Sequence, residues 1–271
     1  MSERDLDNII EADGGAAVLD GFEVAGPTVS EVRQEKQVEK KRQAVILAGG
    51  LGTRLKPFTD VIPKPLLPVG EKAVLEIQIE RLARAGFNEV ILATNYKGGY
   101  IGRFLGDGEN YGINLVISQE KEALGTVGPL SLLRDRLQDP FLVMNGDILT
   151  LMDFEDMYAY ACGQEALFTA GIKEVVTPFS FGNIHFDGNL ITGVEEKPDL
   201  VSYVLAGVYM MKPEVLDLVP DSTYFGIDDL ICTMLDQGMP VAKYDIEEYW
   251  LDIGRPVDYE KAQRDARMFD E

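Results

Sequence analysis

Short apolar runs alternate with helix-like segments along most of the chain, and this alternation restricts the fold more than any other feature. The run at 44–47 ends at glycines, and a second run at 90–92 follows a segment at 74–85 whose apolar residues have helical spacing. Continuous apolar runs of this length are typical of strands buried on both faces of a parallel sheet. The alternation therefore predicts an α/β fold with a Rossmann-like, mostly parallel sheet flanked by helices.

The pattern of the sequence changes after residue 150, where strand-like segments become more frequent. We expect residues 1–42 to form an appendage or linker and residues 43–271 to form one domain, with a first half at 43–150 and a mixed-β second half at 151–271. The other predicted elements are strands at 115–117, 141–144, 167–172, 183–186 and 203–210, and helices at 127–137, 152–161, 228–237 and 256–268.

The charge of the chain excludes several classes of partner. It has 25 basic and 46 acidic residues, and its net charge is −21. Such a surface repels nucleic acid and anionic membranes. No apolar run approaches the ~20 residues of a membrane span, and the polar start of the chain is unlike a signal peptide. We therefore expect a cytoplasmic protein that binds neither nucleic acid nor membranes, with homo-oligomer formation left open.

Histidine and cysteine offer little chemistry here. The single histidine, His185, excludes a multi-histidine metal site, and its strand-like surroundings predict a structural role. Cys162 and Cys232 form no C-x-x-C pair, and we expect both to be core-filling thiols.

The first predicted strand runs directly into a glycine-rich loop, Leu47-Ala48-Gly49-Gly50-Leu51-Gly52-Thr53-Arg54-Leu55. Glycines let the backbone approach a polyphosphate and point N–H groups at it, and Arg54 adds a fork of donors. The loop lacks the Lys-Ser/Thr of a P-loop and the third glycine of a dinucleotide fingerprint. Taken alone, it fits a phosphate loop and a tight strand-to-helix turn equally well.

A second motif, Pro63-Lys64-Pro65-Leu66-Leu67-Pro68, follows the glycine-rich loop. Prolines fix φ and favour extended backbone in the residues before them, so Lys64 extends from a stiff segment. Together with the missing third glycine, this segment argues against a nicotinamide dehydrogenase.

The two motifs together resemble the signature of the sugar-1-phosphate nucleotidylyltransferases, and the resemblance covers about residues 43–265. It implies the nucleotide-diphospho-sugar transferase fold, with 43–150 as the nucleotide half and 151–271 as the sugar half. It also implies an enzyme that joins a nucleoside triphosphate to a sugar 1-phosphate and releases pyrophosphate. Further matching motifs follow in order: Leu124-Gly125-Thr126, Asn145-Gly146-Asp147, Glu196-Lys197-Pro198, Ala206-Gly207-Val208-Tyr209 and Trp250-Leu251-Asp252-Ile253-Gly254.

The resemblance also assigns roles. It implies that Arg54 and the backbone of 49–53 hold the β- and γ-phosphates and that Lys64 steadies the α-phosphate. Asp147 ends a predicted strand, where catalytic groups of open α/β sheets gather, and with Asp252 it is expected to hold Mg²⁺. The implied sugar-binding residues are Gly182, Glu196, Lys197 and Gly207, and the implied nucleotide-binding residues are Leu47, Ala48, Gly49, Gly50, Gly52, Thr53, Glu120, Gly125 and Thr126.

Glu120 bears on the choice of nucleobase, because it lies five residues before Gly125 in the loop that resembles the base-contacting one. A carboxylate accepts two donors at once, and guanine offers N1–H and N2–H₂ side by side, so GTP is favoured. UTP, dTTP and CTP stay open, as does a non-catalytic homologue that senses sugar nucleotides. The whole pattern resembles guanylyltransferases of mannose-, heptose- or amino-sugar-type phosphates. Leu205 and the Phe181-Gly182-Asn183 segment depart from it, which leaves the sugar open.

Overall fold

The computed structural model describes residues 41–95, 97–138 and 140–270, so most of the predicted appendage at 1–42 lies outside the described residues. The described strands are β1 Gln43–Leu47, β2 Pro68–Val69, β3 Lys72–Ala73, β4 Glu89–Thr94, β5 Asn114–Gln119, β6 Phe141–Asn145, β7 Ile148–Thr150, β8 Phe168–Pro178, β9 Asn183–Asp187, β10 Leu190–Glu195, β11 Asp199–Met211, β12 Val241–Asp245 and β13 Trp250–Asp252. The described α-helices are α1 Phe58–Val61, α2 Val74–Arg84, α3 Gly98–Leu105, α4 Phe154–Gly163, α5 Ile227–Asp236 and α6 Pro256–Asp265.

A seven-stranded sheet with the order β12-β8-β11-β6-β1-β4-β5 forms the centre of the described fold. β1 runs parallel to both β4 and β6, β4 runs parallel to β5, and β8 runs parallel to β12. β11 is antiparallel to β6 and β8, and β9 and β10 form a separate hairpin. The predicted α/β fold with a mostly parallel central sheet flanked by helices is therefore confirmed.

Both faces of the central sheet are covered, because successive residues of a strand point to opposite faces. Ala44 and Ile46 of β1 belong to one buried cluster, which includes residues of α2 and α4, whereas Val45 belongs to a second cluster, which includes residues of α5. Full burial of an aliphatic side chain contributes about 1.5–3 kcal/mol. Both faces of β1 are thus buried, which explains why the apolar run that predicts this strand is continuous.

The prediction of a helix over 127–137 is wrong in type, because the structure forms a 3₁₀-helix at Gly128–Leu133. The amides of Val127, which precedes this helix, and of Gly128, its first residue, donate to the Phe225 carbonyl at 3.0 and 3.1 Å. This contact with a distant loop fixes the start of the segment, where Pro129 also lacks an amide. The sequence analysis also predicts no helix at the position of α3, which contains three glycines.

The expectation that both cysteines fill the core is also wrong, because Cys162 and Cys232 are free and exposed. His185 lies on β9, in agreement with its predicted strand, and its exposed side chain has Nε2 3.6 Å from Glu195. None of the helices in the described ranges combines the length and the hydropathy that a membrane crossing requires.

Candidate active site

The site begins where β1 and β6 end side by side. Leu47 pairs with Asn145 at the carboxyl ends of these parallel strands, and the Gly146 amide donates to the Leu47 carbonyl at 3.0 Å. A Cβ on Gly146 would lie 2.9 Å from that carbonyl oxygen and 3.4 Å from the Ala48 Cα, so the close approach requires glycine. The chain leaves β1 towards β4 on one side of the sheet and leaves β6 towards β8 on the other side, and ligands of open α/β sheets bind in the crevice at such a divergence.

Lys64 reaches this crevice from the proline-flanked segment. It begins a short 3₁₀-helix, Lys64–Leu66, and its ammonium pairs with the Asp147 carboxylate. The Lys64 side chain is 10% exposed, whereas that of Asp147 is 26% exposed. The stiff segment and the strand end thus meet at one ion pair that solvent still reaches on the Asp147 side.

Asp252 joins Asp147 from the far end of the chain. β13 pairs antiparallel with β7, so that Asp252 lies opposite Ile148, and the Ile253 amide donates to the Asp147 carbonyl at 2.9 Å. Burial and the negative charge of Asp147 raise the pKa of Asp252, although Lys64 opposes the shift. Because the charge of Asp147 makes ionisation of Asp252 costlier, a cation between the two carboxylates would be favourable.

Arg54 completes the cluster. A Cβ on Gly254 would lie 3.5 Å from both terminal guanidinium nitrogens of Arg54 and 3.3 Å from Asp252 Oδ1. The guanidinium also lowers the pKa of Asp252 against the dominant effect of burial. The structure therefore brings together Arg54, Lys64, Asp147 and Asp252, which the sequence places up to about 200 residues apart.

A cleft of about 400 Å³ opens beside this cluster. Glu120 is buried in its wall. Its Oε2 accepts a hydrogen bond from the Leu124 amide at 2.9 Å, and a Cβ on Gly49 would lie 2.8 Å from its Oε1. Burial raises the pKa of Glu120, although the Leu124 amide opposes the shift. The predicted residues that line the cleft are Leu47, Gly49, Gly50, Glu120, Gly125, Thr126 and Asp147.

Three other predicted nucleotide-binding residues lie in the same loop or beside it. Ala48 donates its amide to the Ala93 carbonyl at 2.7 Å, and Thr53 begins a 3₁₀-helix after Gly52, whose φ is +61°. A Cβ on Gly52 would lie 2.7 Å from the Thr59 Cγ2. These residues shape the turn that presents Arg54.

The predicted sugar-binding residues form two groups. Gly207 has a φ of +69°, and a Cβ there would lie 2.7 Å from the Asn145 Nδ2, so this glycine borders the strand ends. Glu196 and Lys197 are exposed and 3.8 Å apart, and a Cβ on Gly182 would lie 3.5 Å from Glu196 Oε2. Among the described residues, neither Glu196 nor Lys197 forms an ion pair with the charged cluster.

Sequence reasoning missed several residues of the site. Asn95, Asn145 and Tyr224 also line the cleft. Asn145 stands in the quoted Asn-Gly-Asp motif, so its place directly before Gly146 was a usable signal. Asn95 directly follows β4, so its place at a strand end was also a usable signal, whereas Tyr224 is distant in sequence from the other residues that line the cleft.

A family model for nucleotidyl transferases matches residues 43–268. The chain belongs to this nucleotidyl transferase family. Membership favours transfer chemistry over the dehydrogenase alternative. The mannose-1-phosphate guanyltransferase of Schizosaccharomyces pombe is 37% identical over 227 residues, which is 80% of this chain and 62% of that protein. This chain therefore spans less than two thirds of the length of that relative.

Solved structures of the same fold agree with the family assignment. A candidate glucose-1-phosphate thymidylyltransferase from Bacillus anthracis, in complex with a sucrose, is 27% identical with a TM-score of 0.69, and the match covers 83% of this chain and 95% of that one. HddC from Yersinia pseudotuberculosis, complexed with GMP-PN, is 25% identical with a TM-score of 0.63, and the match covers 82% of this chain and 98% of that one.

Proposed function

We propose that this chain transfers a nucleotidyl group from a nucleoside triphosphate, with GTP preferred, to a sugar 1-phosphate and releases pyrophosphate. The observation that carries the proposal is the cluster of Arg54, Lys64, Asp147 and Asp252 at the strand ends, directly beside a nucleotide-sized cleft. The catalytic unit is residues 43–271, with its nucleotide half at 43–150 and its sugar half at 151–271. The relatives named above support this chemistry by their own names.

The reaction needs no general base. A sugar phosphate is largely dianionic at neutral pH, since its second pKa is about 6. One of its oxygens attacks the α-phosphorus, the new P–O bond forms, and the bond from the α-phosphorus to the bridging oxygen breaks. The bonding pair leaves with pyrophosphate. Positioning and neutralisation of charge then supply the rate.

Each charged residue has a distinct task in this scheme. Arg54, at the end of the glycine-rich loop, neutralises charge on the departing β- and γ-phosphates. Lys64 neutralises the α-phosphate from its stiff segment. Lys197 binds the phosphate of the sugar, and Glu196 accepts hydrogen bonds from its hydroxyls.

The carboxylates of Asp147 and Asp252 fit a magnesium ion. Among the described residues, no group of three or more His, Cys, Asp or Glu side chains is placed to hold a metal. A pair of carboxylates suits Mg²⁺, which keeps water and phosphate oxygens among its ligands. When bound, Mg²⁺ neutralises the charge of the phosphates and helps to orient them.

Glu120 supports guanine as the base. Its carboxylate is buried in the cleft wall beside the glycine-rich loop, and an acceptor of two donors there matches N1–H and N2–H₂ of guanine. Uracil and thymine offer one N–H between carbonyl acceptors, which is a poorer match. UTP, dTTP and CTP are the alternative substrates. A non-catalytic sensor is the alternative function, but the retained charged residues favour catalysis.

A substrate panel tests the proposal. The chain is incubated with GTP, UTP, dTTP, CTP or ATP and with several sugar 1-phosphates, with and without Mg²⁺, and pyrophosphate release is measured. We expect metal-dependent release that is fastest with GTP. Binding of a sugar nucleotide without release from any pair would instead indicate the sensor, and faster release from UTP or dTTP would overturn the guanine assignment.

A further inference from the structure

Tyr224 lies at the edge of the cleft that holds Glu120. Its side chain is 69% exposed, and it lines the cleft together with Gly125 and Thr126. An aromatic ring that stays exposed at the mouth of a cleft leaves apolar surface in water, and burial of that surface by a ligand is favourable. The position of the ring therefore suggests a ligand contact.

The loop of Tyr224 is held firmly against the segment that follows Glu120. The Phe225 amide donates to the Leu124 carbonyl at 2.9 Å, and the Phe225 carbonyl accepts the Val127 amide at 3.0 Å. The Ile227 amide donates to Thr126 Oγ1 at 2.8 Å. Tyr224 directly precedes Phe225, whose amide and carbonyl both form backbone hydrogen bonds. The backbone that carries the Tyr224 ring is therefore held in place.

Two glycines permit this close packing. A Cβ on Gly125 would lie 2.7 Å from the Phe225 carbonyl oxygen, and Gly125 has a φ of +83°. A Cβ on Gly128 would lie 2.6 Å from the Thr223 carbonyl oxygen. The two loops therefore form one unit, in which Glu120 and Tyr224 belong to the same cleft although about 100 residues separate them.

We propose that Tyr224 stacks on the face of the nucleobase whose edge Glu120 reads. This inference rests on the proposed function and adds a residue to it. A carboxylate in the wall reads the polar edge of a base, whereas the π-face of the base needs an apolar or aromatic partner. Stacking is stronger for purines, which have the larger ring system. Tyr224 and Glu120 therefore both favour GTP over pyrimidine triphosphates.

The test measures binding to the full chain with Mg²⁺ for wild type, Tyr224→Phe, Tyr224→Leu and Tyr224→Ala. The ligands are GTP, UTP and inorganic tripolyphosphate, which lacks a base. We expect Tyr224→Ala to raise the Kd of GTP about tenfold or more, to raise that of UTP less, and to leave that of tripolyphosphate unchanged. Tyr224→Phe retains wild-type affinity, and Tyr224→Leu is intermediate. Tyr100→Ala, which removes a tyrosine that is 64% exposed on α3, is the matched control and changes nothing.

Several results would overturn the stacking role. They are wild-type GTP affinity in Tyr224→Ala, equal weakening of GTP and tripolyphosphate, and a loss in Tyr224→Phe as large as in Tyr224→Ala. The proposed function fails separately. Wild-type chain that binds GTP but releases no pyrophosphate would refute transfer and leave the stacking test intact, whereas wild-type chain that does not bind GTP would refute both.

Discussion

The Lys64 ammonium pairs with the Asp147 carboxylate although 83 residues separate them in the sequence. The pair forms because a proline-flanked segment and the end of β6 reach the same crevice. With Arg54 and Asp252 nearby, two positive charges face two negative ones. The cluster is therefore close to neutral before substrates bind, which lets an acidic chain accept a triphosphate.

Arg54→Ala should slow transfer, because the guanidinium neutralises charge that develops on the departing phosphates. Loss of one such contact costs about 2–4 kcal/mol, or roughly 30- to 1000-fold in kcat/KM. Steady-state pyrophosphate release measures the effect. Arg103→Ala, at an exposed arginine of α3, is the matched control and should keep wild-type kinetics. Unchanged kcat/KM in Arg54→Ala would remove this residue from the site.

Glu120→Gln should weaken the preference for GTP. The amide offers one acceptor in place of two, and loss of a charged hydrogen bond costs about 1.5–3 kcal/mol, so kcat/KM for GTP falls roughly 10- to 160-fold. The ratio of kcat/KM values for GTP and UTP is the measurement. Glu122→Gln changes an exposed carboxylate of the same loop and should leave the ratio intact. An unaltered ratio in Glu120→Gln would show that another group selects the base.

Gly207→Ala should impair both stability and turnover. The substitution places a Cβ at a φ of +69° and 2.7 Å from the Asn145 Nδ2, and the left-handed backbone alone costs about 1–2 kcal/mol. Gly188→Ala is the matched control, since Gly188 has a φ of +54° and open space around the added Cβ. Chemical denaturation should show the larger loss in Gly207→Ala, and its kcat should also fall. Equal losses of stability in the two variants, with an unaltered kcat in Gly207→Ala, would disprove the close approach of Gly207 to Asn145.

Glu89 should stabilise the fold in a pH-dependent way. Burial raises the pKa of Glu89, but hydrogen bonds from Gln43, Arg136, Asn114 and Lys41 outweigh burial and lower the pKa to about 2. A depressed pKa contributes stability above the unfolded value of about 4.5, and this stability is lost as the pH falls towards 2. Glu89→Gln should therefore cost about 3 kcal/mol at pH 7, and less at pH 3.

Urea denaturation of wild type and Glu89→Gln between pH 7 and pH 3 measures this difference. Glu165→Gln, at an exposed glutamate, should match the wild type throughout. A difference between wild type and Glu89→Gln that stays constant across this range would mean that the charge of Glu89 is not the stabilising feature.

Local patterns in the sequence identify the glycine-rich loop and Lys64, because each depends on adjacent residues. The meeting of Asp147 and Asp252 requires the pairing of β7 with β13, which no periodicity encodes. Only the family resemblance predicts that they share a role. Tyr224 was missed for the same reason, since its loop reaches the cleft through backbone bonds to a distant segment. The exposure of Cys162 likewise depends on how α4 packs and not on the residue type.

The central claim is that the charged cluster performs the transfer, and Asp147→Asn tests it most directly. Metal-dependent pyrophosphate release from GTP and a sugar 1-phosphate is compared between wild type, Asp147→Asn and the exposed control Asp135→Asn, with unfolding temperatures measured to verify the fold. We predict a loss of at least about 100-fold in Asp147→Asn and wild-type rates in Asp135→Asn. A folded Asp147→Asn variant that releases pyrophosphate at the wild-type rate would contradict the claim.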